Sequence, residues 1–322
     1  MRAAVYESYG GPEVVHLAEV PTPEPGPGEL LVRVRAFSVN TGDWRLRSMI
    51  IPGGMAPIAK LQFGWSKPKK PILGTEASGV VERVGAGVTK YLPGDEVSVS
   101  PGWKMGCHAE YVVISEDGMV AGKPANIDFA EAGSLAFGGA TALWFFRKAG
   151  LKAGERLLVV GASGAVGSAA VQIGKALGAV VTGVASGGNL DIVRGLGADA
   201  VIDYTTTDFA AAGAQYDLIL DTTATAPYKR IKAILAPNGR LLAVLGGLRE
   251  MLFGNIGTSD GHKVVTGTPP DDPMLYRDVV ALAAAGQFRP LIDSRYRLDE
   301  IVAAHARVDT GRKRGSVVVE IP

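Results

Sequence analysis

Apolar residues follow two different rhythms along this chain, and the change comes near residue 128. Before it, residues 1–8, 14–20 and 29–39 alternate apolar and polar positions as half-buried strands do. Pro21-Thr-Pro-Glu-Pro-Gly-Pro-Gly28 connects the last two, and its proline and glycine content predicts a run of turns. Segments 78–84, 95–100 and 110–115 repeat the strand pattern. Beyond residue 128, apolar runs at 156–160, 180–185, 200–203, 217–221, 240–245 and 263–267 alternate with helical stretches, the rhythm of a parallel, doubly wound sheet. After Phe288-Arg-Pro290 the β pattern returns with Tyr296-Arg-Leu298, a helix over 299–309 and the strand Val317-Val-Val-Glu-Ile321. Residues 48–65 are apolar without a clean period. An ordered loop is expected there, with a pocket wall, a lid or a patch touching a partner or membrane as the other readings. Phe253-Gly-Asn-Ile-Gly-Thr258 is a shorter case of the same kind.

One strand carries more than fold. Leu157-Leu-Val-Val160 runs into Gly161-Ala-Ser-Gly-Ala-Val-Gly167, and a helical pattern continues to Leu177. Strand, tight glycine turn and helix start form the unit that holds a dinucleotide pyrophosphate on backbone N–H groups. Gly164 and Gly167 supply the second and third motif glycines, and Ala162 takes the place of the first. Ala162, Ser163, Gly164, Ala165, Val166 and Gly167 are therefore the expected phosphate contacts. The strand Val180-Val-Thr-Gly-Val-Ala185 arrives at the expected distance. This predicts a Rossmann dinucleotide-binding domain over 126–287 and a discontinuous β-rich domain over 1–125 and 288–322.

Composition narrows the class. The 322 residues are 47% hydrophobic and carry a formal net charge of +1, so no strong field recruits nucleic acid. No apolar run is long enough to cross a bilayer, and Met1-Arg-Ala-Ala-Val-Tyr-Glu7 enters a strand pattern directly, which leads to the expectation of a cytoplasmic protein. Cys107 is the single cysteine, which excludes an intrachain disulfide and a multi-cysteine zinc lobe. The four histidines (His16, His108, His262 and His305) are scattered, and surface or local structural roles are expected of them.

Gly74-Thr-Glu-Ala-Ser-Gly-Val-Val-Glu-Arg-Val-Gly-Ala-Gly-Val88 followed by Pro93-Gly-Asp-Glu-Val97 is similar to the signature of a GroES-like catalytic domain. With Val39-Asn-Thr-Gly-Asp-Trp-Arg-Leu-Arg47, Gly138-Gly-Ala-Thr-Ala-Leu143, Asp203-Tyr204 and Gly315-Ser-Val-Val-Val-Glu-Ile321, the whole chain resembles the medium-chain dehydrogenase/reductase superfamily, in its zinc-independent quinone oxidoreductase-like branch. The resemblance implies a GroES-like domain beside the Rossmann domain, a homodimer, and hydride transfer from a nicotinamide to a small-molecule acceptor. Zinc-dependent relatives use Cys and His where this chain has Asn40 and Thr75, and neither residue is a ligand that Zn²⁺ favours. No zinc is expected. Without a metal to polarise it, the acceptor must delocalise the arriving charge onto an oxygen, as a quinone or a conjugated carbonyl or alkene does.

By the same resemblance Asn40 lies near nicotinamide and substrate, Asp43 shapes that loop, and Trp44 and Trp65 are walls for a planar acceptor. Structural roles compete for each: Asn40 can satisfy a strand end, Asp43 can cap the following turn, and either Trp can be core. Thr141 is implied near the nicotinamide phosphate, Tyr204 near the adenosine, and Val244-Leu-Gly246 along the nicotinamide edge. Ser186 ends the second Rossmann strand, where an acidic residue would accept the ribose 2′-OH of NADH. That substitution favours NADPH, held by Ser186, the amides of Gly187 to Asn189, and Arg194 or Arg312. Asp191 is expected in the first turn of a helix capped by Asn189. Two other functions stay open: a 2-alkenal or enoyl-type reductase of the same fold, and a noncatalytic dinucleotide-binding protein.

Overall fold

The computed structural model describes residues 1–51, 54–211, 213–246, 258 and 260–322; most of the 253–258 segment lies outside them. Contacts divide the chain into a β-rich unit of Met1–Ile51, Ala56–Phe137 and Pro270–Pro322, and a second unit that holds Gly138–Pro269.

The β-rich unit begins with β1 (Arg2–Tyr6) and β2 (Val15–Glu19), an antiparallel pair. β3 (Glu29–Val39) runs into helix α1 (Thr41–Ser48), and α2 (Ala56–Phe63) follows. Next come β4 (Ala77–Val84), β5 (Glu96–Val99), β6 (Tyr111–Ser115), β7 (Val120–Gly122) and the short α3 (Phe129–Ala132). β3 pairs with both β4 and β6. It buries Leu30, Val32, Val34, Phe37 and Val39 in the core of this unit.

The second unit opens with α4 (Thr141–Ala149), then β8 (Arg156–Val160), α5 (Ala165–Ala176), β9 (Val180–Ala185), α6 (Leu190–Gly195), β10 (Ala200–Asp203), β11 (Tyr216–Asp221), β12 (Leu235–Ala243) and β13 (Lys263–Thr266). The sheet order β10-β9-β8-β11-β12-β13 is parallel throughout. Leu157 to Val160 are buried, as a strand covered on both faces requires. The chain then returns to the β-rich unit as α7 (Pro273–Ala284), β14 (Ile292–Arg297), α8 (Ile301–Asp309) and β15 (Ser316–Glu320). β15 lies antiparallel to β3, so the last strand completes the first sheet.

Two stretches differ from the sequence expectation in the unit they join. Residues 126–137 stay with the β-rich unit because Ser78 and Ser98 hydroxyls donate to the Phe129 and Ala132 carbonyls. Residues 270–287 do so because Tyr276 is buried with its hydroxyl on Ser98, and the Asn126 amide donates to Ala283 O at 2.9 Å. Within 48–65, where a loop was expected, the described residues include the helix α2. No helix among the described residues is long and apolar enough to cross a membrane.

Candidate active site

In the second unit the site is built on the carboxyl edge of the parallel sheet. Register places Val160, Val184, Asp221 and Ala243 level with one another, and Asp203 pairs with Ala185. The segments 161–167, 186–189 and 244–246, and Tyr204, all leave the sheet at this edge. It is the edge where open α/β sheets bind ligands.

The glycine loop turns at Gly161, which has φ +82°, so the left-handed position lies one residue before Ala162. The substitution at Ala162 therefore costs the turn nothing, and Ala162 is buried in ordinary packing. A Cβ on Gly161 would meet Thr222 Oγ1 and Thr223 Cγ2 at 2.5 Å, so the space beside it is filled. Gly167 is required by packing too: a Cβ there would lie 2.0 Å from Gly161 O. Gly164 is different. Its backbone is extended, and a Cβ would meet nothing closer than Gly161 O at 3.5 Å. Gly164 is the N-cap of α5 and no side chain caps that helix. The first-turn N–H groups at Ala165, Val166 and Gly167 have no intrahelical acceptor by geometry, and they face this open space with the positive end of the helix dipole. These features fit an anionic pyrophosphate.

Ser186 follows β9. Asn189 holds the N-cap position of α6 but makes no capping bond, which corrects the expectation for it. Its Nδ2 instead donates to Ser163 Oγ at 3.2 Å and Ser186 Oγ at 3.1 Å, tying the glycine loop to the second strand end. Its Oδ1 is buried without a partner. Asp191 pairs with Arg194 on the surface at 2.6 Å, so that arginine is already engaged. The sequence stretch has no acid beside Ser186, yet the fold brings one: a Cβ on Gly187 would lie 2.6 Å from Asp203 Oδ2. Bonds from Thr205 and from the Gly187 N–H hold the Asp203 carboxyl below its usual range. Tyr204 is 58% exposed next to it. The Val244 N–H donates to Asp221 O at 3.1 Å, which fixes the Val244-Leu245-Gly246 turn after β12. Thr141 is half-buried at the start of α4.

In the β-rich unit the predicted residues gather where β3 ends. Asn40 caps α1, its Oδ1 accepting from the Gly42 and Asp43 N–H groups at 2.8 and 3.2 Å. Asp43 Oδ2 accepts from the Asn40 N–H at 2.9 Å, a reciprocal capping box. Asp43 Oδ1 takes the Gly74 N–H at 3.0 Å. The carboxyl is buried, and that burial raises its pKa against the opposing pull of His108, the two N–H bonds and Arg47. The structural role thus accounts for every bond of Asp43 described here. Asn40 also donates from Nδ2 to Thr75 Oγ1 at 3.0 Å. Trp44 packs half-buried on the core, and Trp65 is 68% exposed with the Lys60 ammonium over its ring.

Sequence reasoning missed Glu76. It is buried beside Thr75, with Oε1 accepting from the Ser38 hydroxyl and Oε2 from the Phe137 N–H at 2.9 Å. Burial pushes its pKa up to about 7. Of the four histidines, His16 is exposed while His108, His262 and His305 are buried. The His108 ring stacks on Phe37 and donates from Nε2 to Ser38 O at 3.1 Å. Burial lowers the pKa of both His108 and His305.

The donor set in this region does not fit a zinc ion. Asn40 and Thr75 bond to each other, Glu76 is occupied, and Cys107 is a buried thiol whose pKa is raised by burial. Among the described residues no group of three or more His, Cys, Asp and Glu could hold a metal.

Comparison with known proteins bears on both units. Residues 26–125 match the family described as alcohol dehydrogenase GroES-like domain, and 196–319 the one described as zinc-binding dehydrogenase. The chain is 33% identical to a chloroplastic quinone oxidoreductase of Triphysaria versicolor, over 99% of this chain and 98% of that protein. It is 29% identical to a chloroplastic NADPH-dependent alkenal/one oxidoreductase of Arabidopsis thaliana, over 99% and 79%. Among solved structures, the quinone oxidoreductase of Coxiella burnetii superposes with a TM-score of 0.88 at 27% identity, covering 100% of this chain and 99% of that one.

Proposed function

The chain belongs to the medium-chain dehydrogenase/reductase superfamily, in its quinone oxidoreductase-like branch, and from that premise we propose a zinc-independent, NADPH-dependent reductase of quinones or other conjugated carbonyl and alkene acceptors. An oxidoreductase with a nicotinamide cofactor is the coarser statement that its relatives already carry. The observation behind the finer one is the Asn40–Thr75 hydrogen bond, which stands where zinc-dependent relatives keep metal ligands.

A reduced nicotinamide, when bound, supplies the hydride. The residues do the rest. Ala162 to Gly167 hold the pyrophosphate on N–H groups, and the uncapped start of α5 balances its charge. Ser186, Asn189 and the Gly188 N–H meet the adenosine phosphate, the Gly187 N–H being held by Asp203, with Tyr204 beside the adenosine and Thr141 and Val244 to Gly246 along the nicotinamide half. In the β-rich unit Asn40 keeps one Nδ2 hydrogen beyond the one given to Thr75, and Thr75 adds its hydroxyl. Donors of this kind stabilise an acceptor oxygen as it gains charge. Asp43 positions Asn40 through the capping box, and Trp44 backs that loop. A saturated ketone, with no conjugated path for the charge, would need a stronger electrophile than two neutral donors.

NADPH oxidation with a quinone, an enone and a saturated ketone, repeated with NADH, tests this reading. The conjugated acceptors should turn over and the saturated ketone should not, with NADPH preferred several-fold. Asn40→Ala should lower kcat and leave NADPH affinity nearly intact. Tight NADPH binding with no turnover of any acceptor would instead favour a noncatalytic dinucleotide-binding protein.

A further inference from the structure

We propose that α2 and the residues around it form a docking surface for an anionic phospholipid bilayer. Helix α2 has an inner face, on which Ala59 is buried and Phe63 packs against the core of the β-rich unit. Its outer face carries Ile58 and Leu61, 49% and 75% exposed, one helical turn apart. Trp65, four residues further, is 68% exposed, and Ile50 before the helix is 59% exposed. Single exposed apolar residues are ordinary, but several on one short segment mark an interaction surface.

Basic residues predominate around this face, although Asp271 lines the cavity beside it. Between Asp43 and Glu76 the sequence contains no acidic residue, while Lys60, Lys67, Lys69 and Lys70 fall there in a chain whose net charge is +1. Lys60 Nζ lies 5.9 Å from the centre of the Trp65 ring. Lys69 Nζ donates to Leu61 O at 2.8 Å, and Lys70 Nζ to Trp103 O at 2.9 Å. These bonds to carbonyls leave the ammonium charges in place and hold them at the border of the apolar face. A cavity of about 290 Å³ opens alongside, lined by Phe63, Lys69, Lys70, Trp103, Lys104 and Asp271.

Aliphatic side chains for the acyl boundary, a tryptophan for the headgroup level and lysines for lipid phosphates are the chemistry of an interfacial segment. A second copy of this chain fits less well, because a symmetric contact would set the same lysines against each other. The proposed surface uses neither the glycine loop nor Asn40, Asp43 and Thr75, so it stands or falls apart from the proposed reaction.

The test is co-sedimentation of the whole protein with phosphatidylcholine vesicles, with and without phosphatidylglycerol, at low and high salt. Binding should need the anionic lipid and weaken with salt. Leu61→Glu should reduce it at least tenfold. Replacing Lys67 and Lys69 by Gln should cost roughly fivefold per lysine, the weight of one such charge at an anionic surface. Leu92→Glu, at a 70% exposed position on another turn, should bind as the parent does. A vesicle-induced blue shift of tryptophan emission should largely vanish in Trp65→Phe. The lysine and tryptophan variants keep the test standing should Leu61→Glu fail to fold. No vesicle binding, equal binding to both lipids, or equal losses in Leu61→Glu and Leu92→Glu would each overturn the proposal. A change of oligomeric state in Leu61→Glu without vesicle binding would assign the face to a protein partner, and that too would overturn it.

Discussion

Glu76 lies 1% exposed just before β4, its two oxygens taken by the Ser38 hydroxyl and the Phe137 N–H. Burial outweighs those bonds, and the carboxyl titrates at about 7 in the folded protein against an ordinary 4.5. Below the lower value both folded and unfolded chains hold the proton. As pH rises between the two, the unfolded chain releases it first, so folding loses free energy across that window, on the order of 3 kcal/mol in all. Glu76→Gln cannot titrate. Urea unfolding at about pH 5 and about pH 8 should therefore show the variant gaining stability relative to the parent as pH rises. A difference that stays constant with pH would mean the carboxyl is ionised in the fold throughout. At this scale the sequence marked Asn40, Asp43 and the glycines, because each has a signature in its neighbours. It could not mark Glu76 or the buried histidines, since a lone titratable residue carries no sign of how deeply distant strands will cover it. Asp203 was hidden for a related reason: it reaches Gly187 only through the pairing of β10 with β9.

The strand–turn–helix element around β8 and α5 separates two uses of glycine that look alike in sequence. Gly164→Val keeps an extended backbone any residue adopts and meets open space. It should leave stability nearly unchanged and weaken NADPH binding by roughly 2 kcal/mol or more, at least the cost of overpacking a filled site. Gly167→Ala places a methyl 2.0 Å from Gly161 O, so the helix must move off the loop. It should lower stability itself, by about 1–3 kcal/mol. Thermal unfolding and fluorescence titration of both variants resolve the two cases. Unchanged NADPH affinity in a folded Gly164→Val protein would put the phosphate site elsewhere. Other elements were unequally legible. The strands of the parallel sheet stood out as short apolar runs, because both faces are covered. α2 did not, because Ala59 and Phe63 face inward while Ile58 and Leu61 face out, and apolar residues on both sides erase the period.

Across the whole molecule, the change of rhythm near residue 128 announced two architectures, and the return of β15 to β3 completes the first of them. The limits of the units were harder to read. α3 and α7 are helices by pattern, but nothing local says which sheet Ser98, Tyr276 and Asn126 will tie them to. For the proposed reaction the second unit offers an uncapped helix start with open space at Gly164, and the β-rich unit offers two neutral donors, Asn40 and Thr75. Its central claim is reduction of a conjugated acceptor without zinc. The direct measurement is the rate of quinone-dependent NADPH oxidation by purified protein before and after exhaustive chelation, with zinc content determined on the same samples. The account predicts no stoichiometric zinc and the same rate in both. About one zinc per chain, with activity lost on its removal and restored on its return, would contradict it.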